Sequence, residues 1–277
     1  MVEPILSIVI PVHNGGQYIG ETLESALISC GDLESFEIVI SNNFSTDNTE
    51  EIIEKFDHPN IRVIRPLNKM SIGENWSFVS LAARGKYIKL LGADDILYGQ
   101  ILKEIQLLKM HPNCVALISR RAIITGRGKV RISSRGISNK LQIAQGDSVI
   151  AKTWASGTNL IGDPTALLFR RDHFQDSLPW EDKPFPYLVD MTLYLKCFSK
   201  CLVLLSPDVV SGFRIHRESI TGRTLSGHAR QFYGLFKLSQ DRNHVDSSVS
   251  MLRKSMRVWC MAYVKQFSKV IFIRLFV

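Results

Sequence analysis

Short apolar runs rich in β-branched residues alternate with segments of helical periodicity in the first half of the chain. The runs begin about 25 to 30 residues apart, and the segments between them place apolar side chains at helical spacing, as Tyr18, Leu23 and Leu27 do. Continuous apolar strands that alternate with helices are typical of a parallel sheet covered on both faces. We therefore predict an open α/β domain. The five runs are residues 6–12, 36–41, 61–65, 86–91 and 114–124.

The hydrophobic pattern becomes less regular after the fifth run. The segment 126–140 contains glycines and many basic residues, and we interpret it as a hairpin or a mobile loop. Apolar spacing then predicts a helix over 147–155, a strand over 165–170, a helix over 189–200 and a strand over 202–205. The basic residues in or just before the segment are Arg120, Arg121, Arg127, Lys129, Arg131, Arg135 and Lys140.

Two adjacent carboxylates, Asp94 and Asp95, follow the fourth predicted strand. In α/β sheets, ligands bind beyond the carboxyl ends of the strands, near the point where the strand order reverses. Carboxylates at that edge suit a hard divalent cation that also takes oxygens from a substrate diphosphate. The same two residues also fit the first turn of a following helix, where acidic side chains are favourable. Spacing alone leaves both interpretations open.

Polar residues and glycines follow the first two strands, in the segments PVHNGGQYI and SNNFSTDNT. Polar side chains at two neighbouring strand ends can form a nucleotide pocket, in which an asparagine oxygen accepts a hydrogen bond from a base N–H. Neither segment matches the GxGxxG dinucleotide fingerprint. Each segment taken singly also fits an ordinary turn.

Three further polar residues stand out in the second half of the chain. Asp190 opens an amphipathic helix, and its simplest interpretation is a helix N-terminal acid. His216 fits an ordinary surface or core histidine as well as a ligand. Asp163 follows a glycine in the segment GDPTALLFRR. The order in which these residues occur is more informative than any one of them.

Six segments, taken in order, resemble glycosyltransferase family 2, whose members are inverting enzymes with the GT-A nucleotide-sugar-binding fold. The resemblance covers roughly residues 4–221. It implies an open, mostly parallel, twisted sheet flanked by helices, with a nucleotide-binding half over about 1–125 and an acceptor half over about 126–221. The segments are SIVIPVHNGGQYIGETLESAL, FEIVISNNFSTDNTEEII, NKMSIGENW with ARGKYIKLLGADDIL, GDPTALLFRR, YLVDMTLYLK and FRIHRESIT.

The resemblance implies a role for each candidate site residue. Asp94 and Asp95 form a DxD-like site for Mn²⁺ or Mg²⁺, with Asp95 on the metal and Asp94 closer to the ribose of the donor. His216 reaches the metal or the diphosphate. Asp190 is the general base, and Asp163 lies near the acceptor. The residues implied to line the nucleoside pocket are Pro11, His13, Asn42 and Asn43.

The activity implied is transfer of a sugar from a nucleoside-diphosphate sugar, with a UDP-sugar favoured, to a hydroxyl of a polysaccharide or lipid-linked glycan. An inverting enzyme needs one carboxylate to take the proton of the attacking hydroxyl, and Asp190 would do this. A cation held by Asp95 would stabilise the charge that develops on the departing diphosphate. The two acidic sites therefore have separate tasks.

The sequence departs from the family pattern at several positions. His13 stands where Tyr is frequent, the pair Asn42 and Asn43 lacks the usual Asp, and Val189 replaces a Glu that often precedes the base. These departures support an alternative function, that of a nucleotide-sugar-binding or scaffold protein at the membrane with weak or absent turnover. A nucleotidyltransferase is disfavoured, because HNGGQ has no Lys or Arg for a phosphate-binding loop.

The net charge of +8 lies entirely in the last 56 residues. Residues 1–221 contain equal numbers of basic and acidic side chains, whereas 222–277 contain ten basic residues against Asp241 and Asp246. The charge therefore belongs to a separate cationic segment. We expect no nucleic-acid partner.

The C-terminal segment 222–277 is predicted to be a basic helical extension. Within 251–277, basic residues lie at four-residue spacing from Arg253 to Lys269, with Met261 as the one interruption, and aromatic and aliphatic residues supply much apolar surface elsewhere on the helix. This composition suits a helix lying in an anionic membrane interface, and equally a helix packed on the domain with a solvated basic face. Five scattered cysteines fit a reducing compartment. We expect a cytoplasmic protein, peripheral on the inner face of the plasma membrane.

Overall fold

The computed structural model describes residues 3–179, 185–186, 188–216 and 228–242, with the isolated positions 260 and 264. Within these residues, one ten-stranded sheet is flanked by helices. The strands are β1 (Leu6–Val12), β2 (Phe36–Asn42), β3 (Ile61–Ile64), β4 (Tyr87–Leu90), β5 (Ile96–Leu97), β6 (Cys114–Thr125), β7 (Val130–Arg135), β8 (Gln142–Gln145), β9 (Leu167–Arg170) and β10 (Leu202–Ile215). The helices are α1 (Ile19–Cys30), α2 (Thr49–Glu54), α3 (Ile72–Leu81), α4 (Ile101–Met110), α5 (Gly146–Ser156), α6 (Arg171–Asp176), α7 (Val189–Phe198) and α8 (His228–Arg242).

The strand order is β3-β2-β1-β4-β9-β6-β10-β5, with β7 paired to β6 and β8 paired to β10. Strands β1 to β4 are parallel, and so is the long β6–β10 pair, whereas β9 runs antiparallel to both of its neighbours. The predicted fold class, a mostly parallel α/β sheet flanked by helices, is confirmed. The chain builds outward from β1 through β2 and β3 and then returns to the other side of β1 as β4. The carboxyl ends of β1 and β4 are thus a topological switch point.

The sheet separates two hydrophobic cores, because successive side chains of a strand point to opposite faces. In β1, Leu6, Ile8 and Ile10 join one core with α1, α2 and α4. Val9, between them, joins the other core with α3, α5, α6, α7 and α8. The continuous apolar runs of the sequence therefore reflect strands that are buried on both faces.

One charged pair lies inside the sheet. Lys89 of β4 and Glu104 of α4 are almost fully buried, with Nζ and Oε1 3.1 Å apart. The ammonium group also donates to the carbonyl oxygens of Thr165 and Leu167. Because the ammonium group has three acceptors, burial of its charge is offset, and the 3₁₀ turn Pro164–Ala166 is fixed beside β4.

Most predicted elements of the second half of the chain are present, with shifted ends. Helices α5 and α7 confirm the helices predicted over 147–155 and 189–200. The segment 126–140 forms a hairpin, because β7 pairs antiparallel to β6. The strand predicted over 202–205 is much too short, since β10 continues to Ile215. Bulges around Ser206 to Val209 interrupt its apolar pattern and conceal its length.

Part of the predicted C-terminal extension packs on the domain. The rings of Phe232 and Phe236 of α8 lie edge-on to Trp154 of α5, with centroids 4.8 and 5.8 Å away. Helix α8 therefore completes the core on its side of the sheet. The amphipathic helix predicted over 251–277 lies outside the described residues, apart from positions 260 and 264. None of the helices within the described ranges combines the length and hydropathy needed to cross a bilayer.

Candidate functional site

The candidate site lies at the carboxyl ends of β1, β2 and β4, where the strand order reverses. Pro11 marks this edge of the sheet. Pro11 pairs with Ser41 of β2, whereas the pairing of β1 with β4 ends two residues earlier, at Val9. Proline has no backbone N–H, so it cannot donate to a neighbouring strand. At this position no residue of β4 is paired with β1, and the missing donor leaves no ladder hydrogen bond unmade. The chain can therefore leave the sheet here without leaving a ladder acceptor unpaired.

The two polar loops after β1 and β2 are joined by side-chain hydrogen bonds. The backbone N–H of Asn14 donates to Ser45, and that of Gly15 donates to Thr49, at 3.0 and 2.9 Å. In return, the side-chain oxygen of Asn14 accepts from the backbone N–H of Thr46 at 2.8 Å. Because each loop supplies partners to the other, they form one structural unit, as a nucleoside pocket between neighbouring strands requires.

The asparagines predicted to contact the base are both used inside the protein. The amide of Asn43 accepts from the N–H of Met70 and donates to its carbonyl oxygen, both at 2.9 Å. The Asn42 amide donates to Glu50. His13 Nδ1 lies 2.8 Å from the carbonyl oxygen of Asn43. These residues shape the predicted pocket, and their contact with a nucleoside stays a prediction.

Asp95 is buried, with 2% of its surface exposed, and both of its carboxylate oxygens have partners. Oδ1 accepts from the backbone N–H of Arg214 at 2.9 Å, and Oδ2 accepts from the hydroxyl of Thr165 at 2.7 Å. Burial raises the pKa of this carboxyl well above its ordinary value, and Asp163 and Asp94 add to the increase. Asp95 therefore fastens the β4 loop to two distant parts of the chain.

Asp94 has a different environment from its neighbour. Its side chain is 34% exposed, and its Oδ2 lies 2.9 Å from Nε2 of His216, whose side chain is 14% exposed. The His216 ring stands against Tyr18, with ring centroids 4.7 Å apart. A carboxylate oxygen and an imidazole nitrogen, both of which are atoms that can bind a metal ion, thus meet at the open edge of the site.

Arg214 connects four segments around this edge, although the sequence pattern did not single it out. Its side chain is 1% exposed. Nε donates to the carbonyl oxygen of Asp94, Nη1 to that of Gly126, and Nη2 to the carboxylate of Glu21. The guanidinium also lies 4.8 Å from the ring centroid of Tyr18. An arginine flanked by Phe213 and Ile215 near the end of a strand is the signal that could have identified it.

Asp163 lies at the start of the 3₁₀ turn, on the side of the site toward β6. It is 9% exposed, and its Oδ1 is 2.7 Å from Nε of the buried Arg121. Burial raises the pKa of the Asp163 carboxyl, while the Arg121 guanidinium opposes the increase. Asp163 also interacts electrostatically with Asp94 and Asp95, so the three carboxylates belong to one site.

Asp190, in the first turn of α7, is held at both carboxylate oxygens. Oδ2 accepts from the amide of Asn159 at 2.6 Å, and Oδ1 accepts from the N–H of Met191 at 2.7 Å. The Asn159 amide is in turn bonded to the backbone of Gly162 at its oxygen and its nitrogen. Tyr194 donates to the Gly162 carbonyl oxygen, and burial raises the pKa of its phenol well above the usual range. Asn159 therefore orients Asp190.

The structure brings most of the predicted site residues to one edge of the sheet. Asp94 contacts His216 directly, and Arg214 binds both Asp94 and Asp95. Asp163 is linked to Asp190 through its neighbour Gly162, which binds Asn159, and Asn159 in turn binds Asp190. No group of three or more His, Cys, Asp or Glu side chains suited to a metal occurs among the described residues.

The family model described as glycosyl transferase family 2 matches residues 7–178, more than half of the chain. The chain belongs to glycosyltransferase family 2. Its matched region includes β1 through α6, and with them Asp94, Asp95 and Asp163.

Three proteins are similar to this family 2 glycosyltransferase in sequence or in structure. An uncharacterized protein of Mycobacterium tuberculosis is 25% identical over 233 residues, which span 81% of this chain and 71% of that protein. The crystal structure of Staphylococcus aureus TarS 1–349 with UDP-GlcNAc matches with a TM-score of 0.66 at 16% identity, covering 95% of this chain and 72% of that one. Mannosyltransferase PcManGT from Pyrobaculum calidifontis, in complex with GDP-Man and Mn²⁺, matches with a TM-score of 0.60 at 12% identity, covering 100% and 77%. These structural matches show the GT-A fold.

The two adjacent aspartates should differ sharply in their contribution to stability. Asp95→Ala leaves the buried N–H of Arg214 and the hydroxyl of Thr165 without their acceptor, so we expect a loss of about 2 to 5 kcal/mol in the free energy of unfolding. Asp94→Ala at the open edge should cost less than about 1 kcal/mol. Urea unfolding of the three proteins measures both values.

Asp95→Asn provides the matched control, because its amide oxygen can still accept from the Arg214 N–H. It should recover most of the stability that Asp95→Ala loses. Equal losses for Asp94→Ala and Asp95→Ala would contradict the structural role assigned to Asp95.

Proposed function

We propose that this chain is a metal-dependent, inverting glycosyltransferase that moves a sugar from a nucleoside-diphosphate sugar to a hydroxyl of a polysaccharide or lipid-linked glycan. The observation that carries the proposal is the separation of two acidic sites. Asp94 with His216 lies at the open switch point, and Asp190 stands apart, oriented by Asn159. A single-displacement transfer needs one group for the leaving diphosphate and one for the attacking hydroxyl.

The donor is proposed to bind over the joined loops after β1 and β2. These loops lie at neighbouring strand ends, where α/β proteins bind nucleotides. TarS, a similar structure, was crystallised with UDP-GlcNAc, and PcManGT with GDP-Man. We favour a UDP-sugar. Because the amides of Asn42 and Asn43 are used internally, backbone groups and His13 are the proposed contacts of the base.

The residues at the open edge fit a divalent cation. Asp94 Oδ2 and His216 Nε2 are already adjacent, and the Asp94 side chain is 34% exposed, whereas Asp95 is buried against Thr165 and Arg214. We therefore propose Asp94 and His216, in place of Asp95, as the protein ligands of Mn²⁺ or Mg²⁺. The bound cation would neutralise charge on the donor diphosphate. PcManGT, which shares the fold, was solved with Mn²⁺.

Asp190 is the proposed general base. As the acceptor oxygen attacks the anomeric carbon, the bond from that carbon to the diphosphate breaks and its electron pair leaves with the nucleoside diphosphate. The proton of the acceptor hydroxyl passes to the Asp190 carboxylate. The hydrogen bonds from Asn159 and Met191 hold that carboxylate in one orientation, so no catalytic rearrangement is needed. The leaving diphosphate is stable as an anion and needs no second acid.

The proposed location is the cytoplasmic face of the plasma membrane. It rests on the basic, aromatic-rich sequence of 251–277 and on the lipid-linked or polymeric character of the proposed acceptor. Helix α8 packs on the core and ends at Arg242. The proposed anchoring segment begins at residue 251, after eight intervening residues of the sequence.

Donor binding should depend on the metal through Asp94. In a thermal-shift screen of nucleotide sugars with Mn²⁺, a donor at 100 times its dissociation constant should stabilise the protein by about 2.7 kcal/mol. Asp94→Asn should lose the part of this stabilisation that requires Mn²⁺. Asp172→Asn, the same change at an exposed surface residue, serves as the control. An unchanged metal-dependent shift in Asp94→Asn would contradict the assignment.

Turnover should depend on Asp190 far more than donor binding does. Asp190→Asn keeps the size of the side chain but removes the proton acceptor, so we expect kcat to fall by about 10² to 10⁴ with the donor dissociation constant nearly unchanged. Steady-state kinetics and donor calorimetry on the same samples separate the two effects. If both wild type and variant bind donor but form no product with any acceptor, the scaffold alternative is favoured.

A further inference from the structure

Two neighbouring arginines lie near the carboxylate of Asp163 in the wall of the site. Arg121 of β6 and Arg135 of β7 are cross-strand partners, and such partners lie side by side on one face of a sheet. Within the described residues, Asp163 is the one carboxylate at ion-pair distance from either of them, 2.7 Å from Arg121 Nε. The pair therefore carries an excess of positive charge.

The two guanidinium groups of this pair do not have all the hydrogen-bond acceptors that they could use. Arg121 is 5% exposed, and its Nη1 has no hydrogen-bond partner. Burial lowers the pKa of Arg135 to about 10, and the neighbouring Arg121 contributes to the decrease. Arg135 is half-buried. Like charges that are held together with little access to water are costly unless an anion pairs with them, and strongly perturbed groups of this kind concentrate at binding sites.

The arginine pair lies on the acceptor side of the site. Arg121 Nη2 is 3.4 Å from the carbonyl oxygen of Asn159, and Arg135 Nη2 donates to Thr158 at 3.2 Å. Asn159 is also the residue whose amide binds Asp190. An anion held by the two guanidinium groups would therefore be close to the hydroxyl that Asp190 deprotonates.

The positive charge continues along the hairpin. Arg131 of β7, the same strand as Arg135, is exposed to solvent. Arg127 and Lys129 are exposed at the turn of the hairpin, next to Gly126, whose carbonyl oxygen binds Arg214. A basic surface thus leads from the wall of the site out to solvent.

We propose that Arg121 and Arg135 bind an anionic group of the acceptor, a phosphate or a carboxylate, and that this enzyme selects acidic glycans or phosphate-bearing carriers. Guanidinium groups bind both anions through charge-assisted hydrogen bonds in a planar fork. The proposal rests on the proposed function for the identity of the site. It adds the chemical class of the acceptor, which the family alone leaves open.

Inorganic phosphate is the first probe, and it needs no turnover. Full-length protein is saturated with UDP and Mg²⁺, so that the donor site is filled, and phosphate is then titrated by calorimetry. We expect phosphate to bind with UDP present, to bind about tenfold or more weakly to Arg135→Gln, and to regain part of its affinity in Arg135→Lys. Phosphate binding that UDP abolishes would place the anion in the donor site and overturn the proposal.

Arg120→Gln is the matched control. Arg120 is adjacent to Arg121 on β6, where successive side chains point to opposite faces, and it bonds to Ser134 and Ser138. This variant has the same change in charge and should bind phosphate as wild type does. Equal weakening in Arg120→Gln and Arg135→Gln would show general electrostatic attraction and contradict a specific site.

The second arm measures transfer to matched acceptors, each glycan tested with and without its phosphate or carboxylate. Arg135→Gln should raise KM for the acidic acceptor at least about tenfold, with the donor KM changed by less than about twofold. Equal use of neutral and acidic acceptors by wild type would overturn the proposal. Absence of transfer from every donor would instead count against the proposed function, and the phosphate titration would still decide the anion site.

Discussion

The hydrogen bonds of Arg214 are the constraint on which the geometry of the site depends. One buried side chain at the end of β10 reaches the β4 loop, the hairpin after β6 and helix α1, while its backbone N–H holds Asp95. These segments are distant in sequence and approach one another only at the edge of the sheet. Because guanidinium donors have fixed directions, each of these bonds limits the others. The open position of Asp94 and the buried position of Asp95 follow from this arrangement.

The site also concentrates negative charge before any substrate arrives. Asp94, Asp95 and Asp163 interact with one another, and burial raises the pKa of both Asp95 and Asp163. Arg121 and the buried Lys89 oppose the increase at Asp163. The proposed cation would bind at the open edge of this site, and Arg121 and Arg135 lie on its proposed acceptor side. The fold therefore holds opposite charges close together at one edge of the sheet.

Much of the fold, and less of the site, could be predicted from the sequence. Continuous apolar runs identified β1 to β4, because strands buried on both faces carry few polar interruptions. The position of Asp94 and Asp95 after β4 followed from the same pattern. Their different roles did not, because the groups that bind Asp95 are 70 and 119 residues away, on Thr165 and Arg214. Local patterns carry no information about such contacts. The pairing of Arg121 with Arg135 was concealed for a different reason, because register shifts interrupt the β6–β7 hairpin.

The stereochemistry of transfer tests the central claim most directly. In the proposed mechanism, one carboxylate, Asp190, removes the proton and no covalent sugar intermediate forms, so the acceptor oxygen displaces the diphosphate in one step. The anomeric configuration of the product, measured by proton NMR with an α-linked UDP-sugar as donor, reports the number of displacements. We predict a β-linked product. An α-linked product would contradict the single-displacement mechanism and the role assigned to Asp190.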